Sequence, residues 1–307
     1  MKEFKITKKY DNLDIYYVIL KEFPHLNISS LNKAFRLKDI KINDKRVSKD
    51  YIVKQSDICK IYLSDNILYN IPKDINYVYE DDNILVCYKP KGIVSNFESG
   101  IRNNNIIYFD ELVKKEKGEN LKILNRLDTN TEGLVLFSKN DISYNELFKA
   151  FEQNTINKEY IALVNGKLNK NHDLLSHYIK TDKKDGYSKV YEKNIEGSKT
   201  CVTEYSVLKY IKALNLSILS IKLYTGRTHQ IRAHMKYIGH EIVGDSKYGL
   251  NEINEKFKVS SQMLYAVKYS FDFNEFSPLS YLNNVTIDIT NLVQEKINKF
   301  INSANKL

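Results

Sequence analysis

Asn125-Arg126-Leu127-Asp128-Thr129-Asn130-Thr131-Glu132-Gly133-Leu134-Val135-Leu136-Phe137-Ser138-Lys139 is a polar corner that runs into an apolar stretch. A strand enters the corner and a second leaves it over residues 134–138, which holds Arg126 and Asp128 at a rigid sheet edge. Asp and Asn favour such corners in any protein, so the turn by itself assigns no chemistry. Asp128, Asn130, Glu132 and Gly133 also fit the first half of a calcium loop. Lys139 stands at the twelfth position, where a bidentate Glu is needed, and strands replace the flanking helices, so calcium is rejected.

Outward from this corner, residues 84–88, 160–164, 203–208 and 216–223 read as further strands and 142–151 as a helix. Strands that mostly follow strands predict an α+β protein with a largely antiparallel mixed sheet and flanking helices, rather than a doubly wound one. There is no internal repeat, no GxGxxG and no Walker loop. Residues 77–293 form the expected main domain, 67–76 a linker around Pro72, and 294–307 a Lys- and Asn-rich tail expected to fray.

Residues 1–66 read as a separate basic module, since the first 70 residues hold 14 Lys or Arg against 9 Asp or Glu. Leu13, Tyr16, Tyr17 and Leu20 predict the buried stripe of a helix ended by Pro24. A second helix follows, capped by Ser29 or Ser30, with Leu31, Ala34 and Phe35 inside and Lys33, Arg36 and Lys38 projecting. Residues 40–43 and 58–63 read as strands, with a turn at Asp44-Lys45.

The whole chain has 307 residues, 42% hydrophobic and 28% charged, with 11 Gly and 4 Pro, which excludes collagen-like, linker-rich and wholly disordered classes. No apolar run near the N-terminus reaches the ~20 residues of a membrane span, and residues 1–10 are too charged for a secretory signal, so the cytoplasm is expected. Cys59, Cys87 and Cys201 are widely spaced and odd in number, which argues against a disulfide framework or a zinc cluster. The net charge of +9 favours a polyanionic partner. Only six of the 47 basic residues are Arg, and Arg126, Arg227 and Arg232 lie in the two segments richest in polar motifs. Arg in a chain that otherwise uses Lys marks positions wanting a planar donor fork.

The second such segment is Thr225-Gly226-Arg227-Thr228-His229-Gln230-Ile231-Arg232-Ala233-His234-Met235, continuing through Gly239-His240 to Gly244-Asp245-Ser246-Lys247-Tyr248-Gly249. Gly226 allows a tight strand-to-helix turn, Thr228 can cap, Ile231, His234 and Met235 give a buried face, and Gly239 ends the helix. A spacing of five puts His229 and His234 off a common face, so a metal site with His240 is not expected.

In order and spacing these motifs resemble the RluA-type RNA pseudouridine synthases. Asn125-Arg126-Leu127-Asp128 is similar to their catalytic string, with Asn125 replacing a usual His and Glu132 a usual Ser. Tyr79-Glu80-Asp81-Asp82 with Lys89-Pro90-Lys91-Gly92 resembles their opening strand and turn, although Ser95-Asn96 stands where His-Pro is usual. Lys158-Glu159-Tyr160-Ile161-Ala162 resembles their tyrosine strand, and Leu264-Tyr265-Ala266 departs from a frequent Leu-His-Ala. Residues 12–63 resemble the small RNA-binding domain of the S-four type, with Asp44 where Gly is usual after Asn.

The resemblance implies a monomeric, cofactor-free and metal-free isomerase that converts uridine in ribosomal RNA, or alternatively transfer RNA, to pseudouridine. It implies Asp128 as the essential carboxylate, Arg232 as its partner, Tyr160 as the ring that stacks on the base, Arg126 as the side chain filling the vacated space in the RNA, and Arg227 as a phosphate contact. Lys33, Arg36 and Lys38 would meet RNA from the N-terminal module. Two other classes remain at this level: a catalytically silent RNA-binding relative, which would lose one of Asp128, Tyr160 and Arg232, and a glycoside hydrolase, which needs a second carboxylate. Glu132 is the local candidate for that carboxylate, and it is expected in a turn facing elsewhere.

Overall fold

The computed structural model describes every residue except 25, 70, 98–105, 183 and 307, and the chain divides into two units, residues 1–75 with 92–118 and residues 76–91 with 119–307. The segment 92–118 therefore groups with the N-terminal residues, a division that a linear boundary at 66 does not anticipate.

The first unit holds β1 (Lys2–Lys5), α1 (Ile15–Glu22), α2 (Ile28–Leu37), β2 (Ile40–Ile42), β3 (Lys45–Arg46), β4 (Ile58–Ile61), α3 (Asp65–Leu68) and α4 (Phe109–Lys117). Its four strands pair antiparallel in the order β1-β4-β2-β3. Asp14 caps α1 by accepting Tyr17 N–H. The fully buried face of α1 is Ile15, Val18 and Ile19; of the expected stripe, Leu13, Tyr16 and Leu20 are partly buried and pack against this core, whereas Tyr17 is 44% exposed. The helix is apolar nearly all round, so periodicity fits two faces; the aliphatic side chains take the core and Tyr17 keeps its hydroxyl near water. Asn27 caps α2, rather than either serine, by accepting Ser29 N–H. Asn43 and Asp44 both adopt positive φ, 48° and 64°, and form the two-residue turn between β2 and β3, one position earlier than the sequence suggests. Asn43 then accepts Ile58 N–H and donates to Asp57, tying the turn to β4. The expected linker over 67–76 is not bare at its start: α3 ends within it, and Leu68 and Tyr69 belong to the core of this unit.

The second unit is built on an 11-stranded sheet. Its strands are β5 (Asn76–Glu80), β6 (Ile84–Lys89), β7 (Lys122–Ile123), β8 (Glu132–Ser138), β9 (Ile156–Asn165), β10 (His172–Thr181), β11 (Ser188–Tyr191), β12 (Lys199–Ile211), β13 (Leu216–Leu223), β14 (Leu264–Phe271) and β15 (Thr286–Asp288). The order is β11-β10-β12-β13-β9-β14-β8-β6-β5, with β15 on β14 and β7 on β8. The β14–β8 pair is parallel, through Tyr265 opposite Glu132 and Ala266 opposite Gly133, whereas the other pairs named are antiparallel. At Gly133, with φ 124°, a Cβ would lie 2.1 Å from Ala266 O, so only glycine lets these two strands meet.

Helices α5 (Asp141–Gln153), α6 (Gln230–Tyr237), α7 (Asn251–Lys256) and α8 (Thr290–Ala304) accompany the sheet. Leu147 and Ala150 of α5 pack with Ile84, Val86, Leu134 and Leu136. The expected tail instead forms most of α8, whose Val293, Ile297 and Ala304 are buried with Leu163, Val243 and Val267. Its Lys and Asn residues occupy one face and conceal an apolar i, i+4 stripe on the other. Among the described residues, no helix is long and apolar enough to cross a membrane.

Candidate active site

Asp128 lies in the loop between β7 and β8, where Thr131 N–H closes the turn on its carbonyl at 3.0 Å. Neighbouring side chains fix this loop from both ends. Asn125 accepts Leu136 N–H at 2.9 Å, and Gln262 donates to Thr131 Oγ1 at 2.6 Å. Lys89, fully buried at the end of β6, donates to Pro90 O and Thr129 O at 3.0 and 3.1 Å. Burial pushes its ammonium down to about 7 against the opposing pull of Asp128 and Glu132.

On the other side, the chain between β13 and α6 turns on Gln230. Its amide accepts Thr225 Oγ1–H and Arg227 N–H, and donates to Val202 O and Thr203 Oγ1. His229, with φ 55°, takes the N-cap position in place of Thr228, and no side chain caps the first turn of α6. This geometry delivers Arg232, 6% exposed, to the middle of the site. Its Nη1 donates to Asp128 Oδ2 at 2.7 Å, while Nε and Nη2 donate to Asp245 Oδ2 and Oδ1 at 2.7 and 2.9 Å. The guanidinium also lies 4.9 Å from the Tyr248 ring centroid. Burial alone would lower the Arg232 guanidinium, but the hydrogen bonds and charges of Asp245 and Asp128 raise it. Asp245 is fully buried, and the cost of that burial is overcome by Arg232 and by the N–H groups of Lys247 and Tyr248, so its carboxyl is held low. A lone buried ion costs several kcal/mol, so neither group would be stable here without the other.

Tyr160 is on β9, 8% exposed, and burial with the charge of Asp128 pushes its hydroxyl well above the usual phenol range. The structure thus brings Asp128, Arg232 and Tyr160 together. Arg126 and Arg227 are exposed, and Arg227 Nε donates to Thr200 O at 3.0 Å. Lys33, Arg36 and Lys38 are exposed on α2 and just after it, in the first unit. Glu132 is not in a turn facing elsewhere: it opens β8, is 7% exposed, and is held by Tyr88 Oη at 2.5 Å and Lys296 Nζ at 2.6 Å. Tyr88 of β6 and Lys296 of α8 both bind its Oε2, so Glu132 is tied to these two elements as a buried structural carboxylate rather than set beside Asp128 as a second acid. His229, His234 and His240 diverge, towards Tyr248, Thr203 and Asn165 O respectively.

Asp245, Lys89 and Tyr248 belong to this site and were not singled out by sequence reasoning. The available signal for Asp245 was electrostatic: a buried Arg with one carboxylate partner leaves at least three of its five N–H donors unmatched.

Residues 83–237 match the family of RNA pseudouridylate synthases. The chain is 32% identical to an RNA pseudouridine synthase of Mycoplasma capricolum subsp. capricolum, over 94% of this chain and 97% of that one. It is 32% identical to the ribosomal large subunit pseudouridine synthase C of Rickettsia felis, over 75% of this chain and 80% of that one. Among solved structures, human RNA pseudouridylate synthase domain containing 1 shares the fold with a TM-score of 0.54 and 22% identity, covering 73% of this chain and 94% of that one.

Proposed function

The chain belongs to the RNA pseudouridylate synthase family and is an isomerase acting on RNA, and from that premise we propose that it converts uridines of ribosomal RNA to pseudouridine with Asp128 as the reacting carboxylate. The observation that carries the role of Asp128 is its 2.7 Å contact with a buried Arg232 that Asp245 holds from behind. The ribosomal substrate rests on the relatives named for the large ribosomal subunit.

The reaction breaks the bond between sugar and N1, turns the uracil and rejoins it through C5. One proton leaves C5 and one is gained at N1, so no atoms are lost and no external reagent is consumed. The target base must first leave its stack, at a cost of a few kcal/mol, and Arg126 fills the space it vacates. Asp128 acts at the sugar as nucleophile or base. Arg232 sets its position and charge, and Tyr160 stacks on the uracil. The raised hydroxyl of Tyr160 means that it meets the base as a neutral phenol, which favours stacking over simple proton abstraction. Arg227, at the surface, meets phosphate.

The first unit serves as an RNA-binding module of the S-four type. Support comes from the order of its elements, the Asn43-Asp44 turn, and three exposed cations in and beside α2.

The test is Asp128→Asn, which removes the carboxylate and little volume. Pseudouridine mapped across ribosomal and transfer RNA should disappear from specific ribosomal positions in cells carrying this variant. Sites lost from transfer RNA alone would overturn the substrate, and an Asp128→Asn protein with parental turnover would overturn the site.

A further inference from the structure

A chain of polar groups, buried at Tyr248 and partly exposed at His229 and Asp128, ends at Asp128 and is not used by the mechanism above. Ser188 N–H donates to Tyr248 Oη at 2.7 Å, Tyr248 Oη lies 3.0 Å from His229 Nδ1, and His229 Nε2 lies 3.8 Å from Asp128 Oδ2. Tyr248 is 1% exposed, and its hydroxyl already receives the Ser188 amide. A buried hydroxyl proton without an acceptor is costly, so the phenol donates to Nδ1. Hydrogen-bond satisfaction thereby assigns the neutral His229 tautomer: Nδ1 is an acceptor, and the proton sits on Nε2, the nitrogen facing Asp128.

The two oxygens of Asp128 differ. Oδ2 receives Arg232 Nη1 and faces His229 Nε2, whereas no hydrogen bond reaches Oδ1 among the described residues. We infer that Oδ1 is the oxygen that acts on the nucleotide, and that His229 is a positioning residue which, kept neutral by Tyr248, donates through Nε2 to Oδ2 and fixes the carboxylate in the plane that presents Oδ1. The inference rests on Asp128 being the reacting group. The 3.8 Å separation closes to a hydrogen bond with a movement of about 1 Å, and catalytic hydrogen bonds commonly tighten when substrate binds.

Neutrality matters because Arg232 already places a cation on Oδ2. A second full charge would further weaken the carboxylate as nucleophile or base, while a neutral N–H orients it at smaller electrostatic cost. No proton is transferred by His229 in this role. The charged or titratable groups facing its ring are Asp128, Arg232, Asp245, Lys247 and Tyr248; burial lowers its imidazole, Asp128 and Asp245 pull it up, and Arg232 and Lys247 push it down. Its backbone requires a residue that tolerates left-handed φ, so the choice of variant is constrained.

The experiment compares His229→Asn, His229→Gln and Tyr248→Phe with the parent and with Asp128→Asn, measuring kcat and KM for an RNA substrate, melting temperature, and kcat/KM against pH. Asn tolerates the backbone but cannot reach Asp128, so kcat should fall on the order of tenfold with KM and melting temperature nearly unchanged. Gln can place an amide N–H near the former Nε2, so it should restore much of kcat and remove the fall in rate at low pH that accompanies protonation of His229. Tyr248→Phe removes the hydrogen bond that favours neutral His229, so the same fall should begin at higher pH. Parental kcat in His229→Asn, or an unmoved pH profile in both other variants, overturns the inference. A dead Asp128→Asn beside a parental His229→Asn sinks only this inference, whereas a parental Asp128→Asn sinks the reading of the site on which it rests.

Discussion

Asp245 grips Arg232 through both carboxylate oxygens, at 2.7 and 2.9 Å, and so leaves Nη1 as the guanidinium edge that meets Asp128. Asp245→Asn removes the charge and turns an NH2 group towards a donor fork. The expected result is a loss of about 3–5 kcal/mol of unfolding free energy, as when one member of a buried ion pair is removed, together with a more than tenfold loss of turnover. Urea unfolding and a pseudouridine-formation assay on the same preparation check it; parental stability would show that Asp245 is dispensable to Arg232.

Arg232→Lys and Arg227→Lys keep charge and differ in what they lose. Arg232 uses three nitrogens on two carboxylates, a geometry no ammonium reproduces, while Arg227 is exposed and spends one nitrogen on Thr200 O. Turnover should fall severely in the first and only mildly in the second. Initial rates at saturating RNA rank them, and the reverse order contradicts these roles.

Tyr160→Phe should keep stacking and lose any proton handling, and Tyr160→Leu should lose both. Because burial and Asp128 keep the hydroxyl protonated, the larger step in kcat is expected between Phe and Leu. A Phe variant as inactive as Leu would instead assign the chemistry to the hydroxyl.

The β8 corner and the Tyr160 strand were legible because alternation and turn residues act locally. Asp128 and Arg232, 104 residues apart, could be paired only through resemblance. Asp245 was invisible as a partner because its role depends on how α6 and the loop after it fold back. Periodicity found only the flank of the buried face of α1 for the opposite reason: too many apolar residues satisfy the rule, and the core buries Ile15, Val18 and Ile19 fully while Leu13, Tyr16 and Leu20 pack against its side. The tail over 294–307 forms a helix that composition hides, because the Lys and Asn of α8 outnumber the buried Ile297 and Ala304.

His234 makes stability depend on pH. It is fully buried between Thr203 Oγ1 at 2.7 Å and Cys201 Sγ at 3.3 Å, and burial, then His177, push its imidazole down to about 3. The unfolded chain therefore binds the extra proton first. The stability from neutral His234 is complete above the ordinary His value and is lost as pH falls towards about 3, at up to about 1.4 kcal/mol per unit. His234→Gln, which cannot titrate, should be less stable than the parent at pH 7, with the gap narrowing by about 2.5 kcal/mol at pH 4.5. Urea unfolding at both pH values measures the gap, and a constant gap refutes the shift.

Lys33, Arg36 and Lys38 supply the last prediction. All three are exposed, and among the described residues none has an ion-pair partner, so their charge is free to meet phosphate. Each phosphate neutralised releases counterion and steepens the fall of log affinity with log salt by about 0.7–0.9. Replacing all three by Gln should make the slope shallower by about 2–3 and weaken binding most at low salt. A solvated helix face would contribute only through long-range attraction, which at 0.15 M salt is screened beyond about 8 Å. Binding of one RNA by the parent and the triple variant, titrated from low to high salt, separates the two cases. Parallel lines would mean that this face does not touch RNA, and the role proposed for the first unit would fall with it.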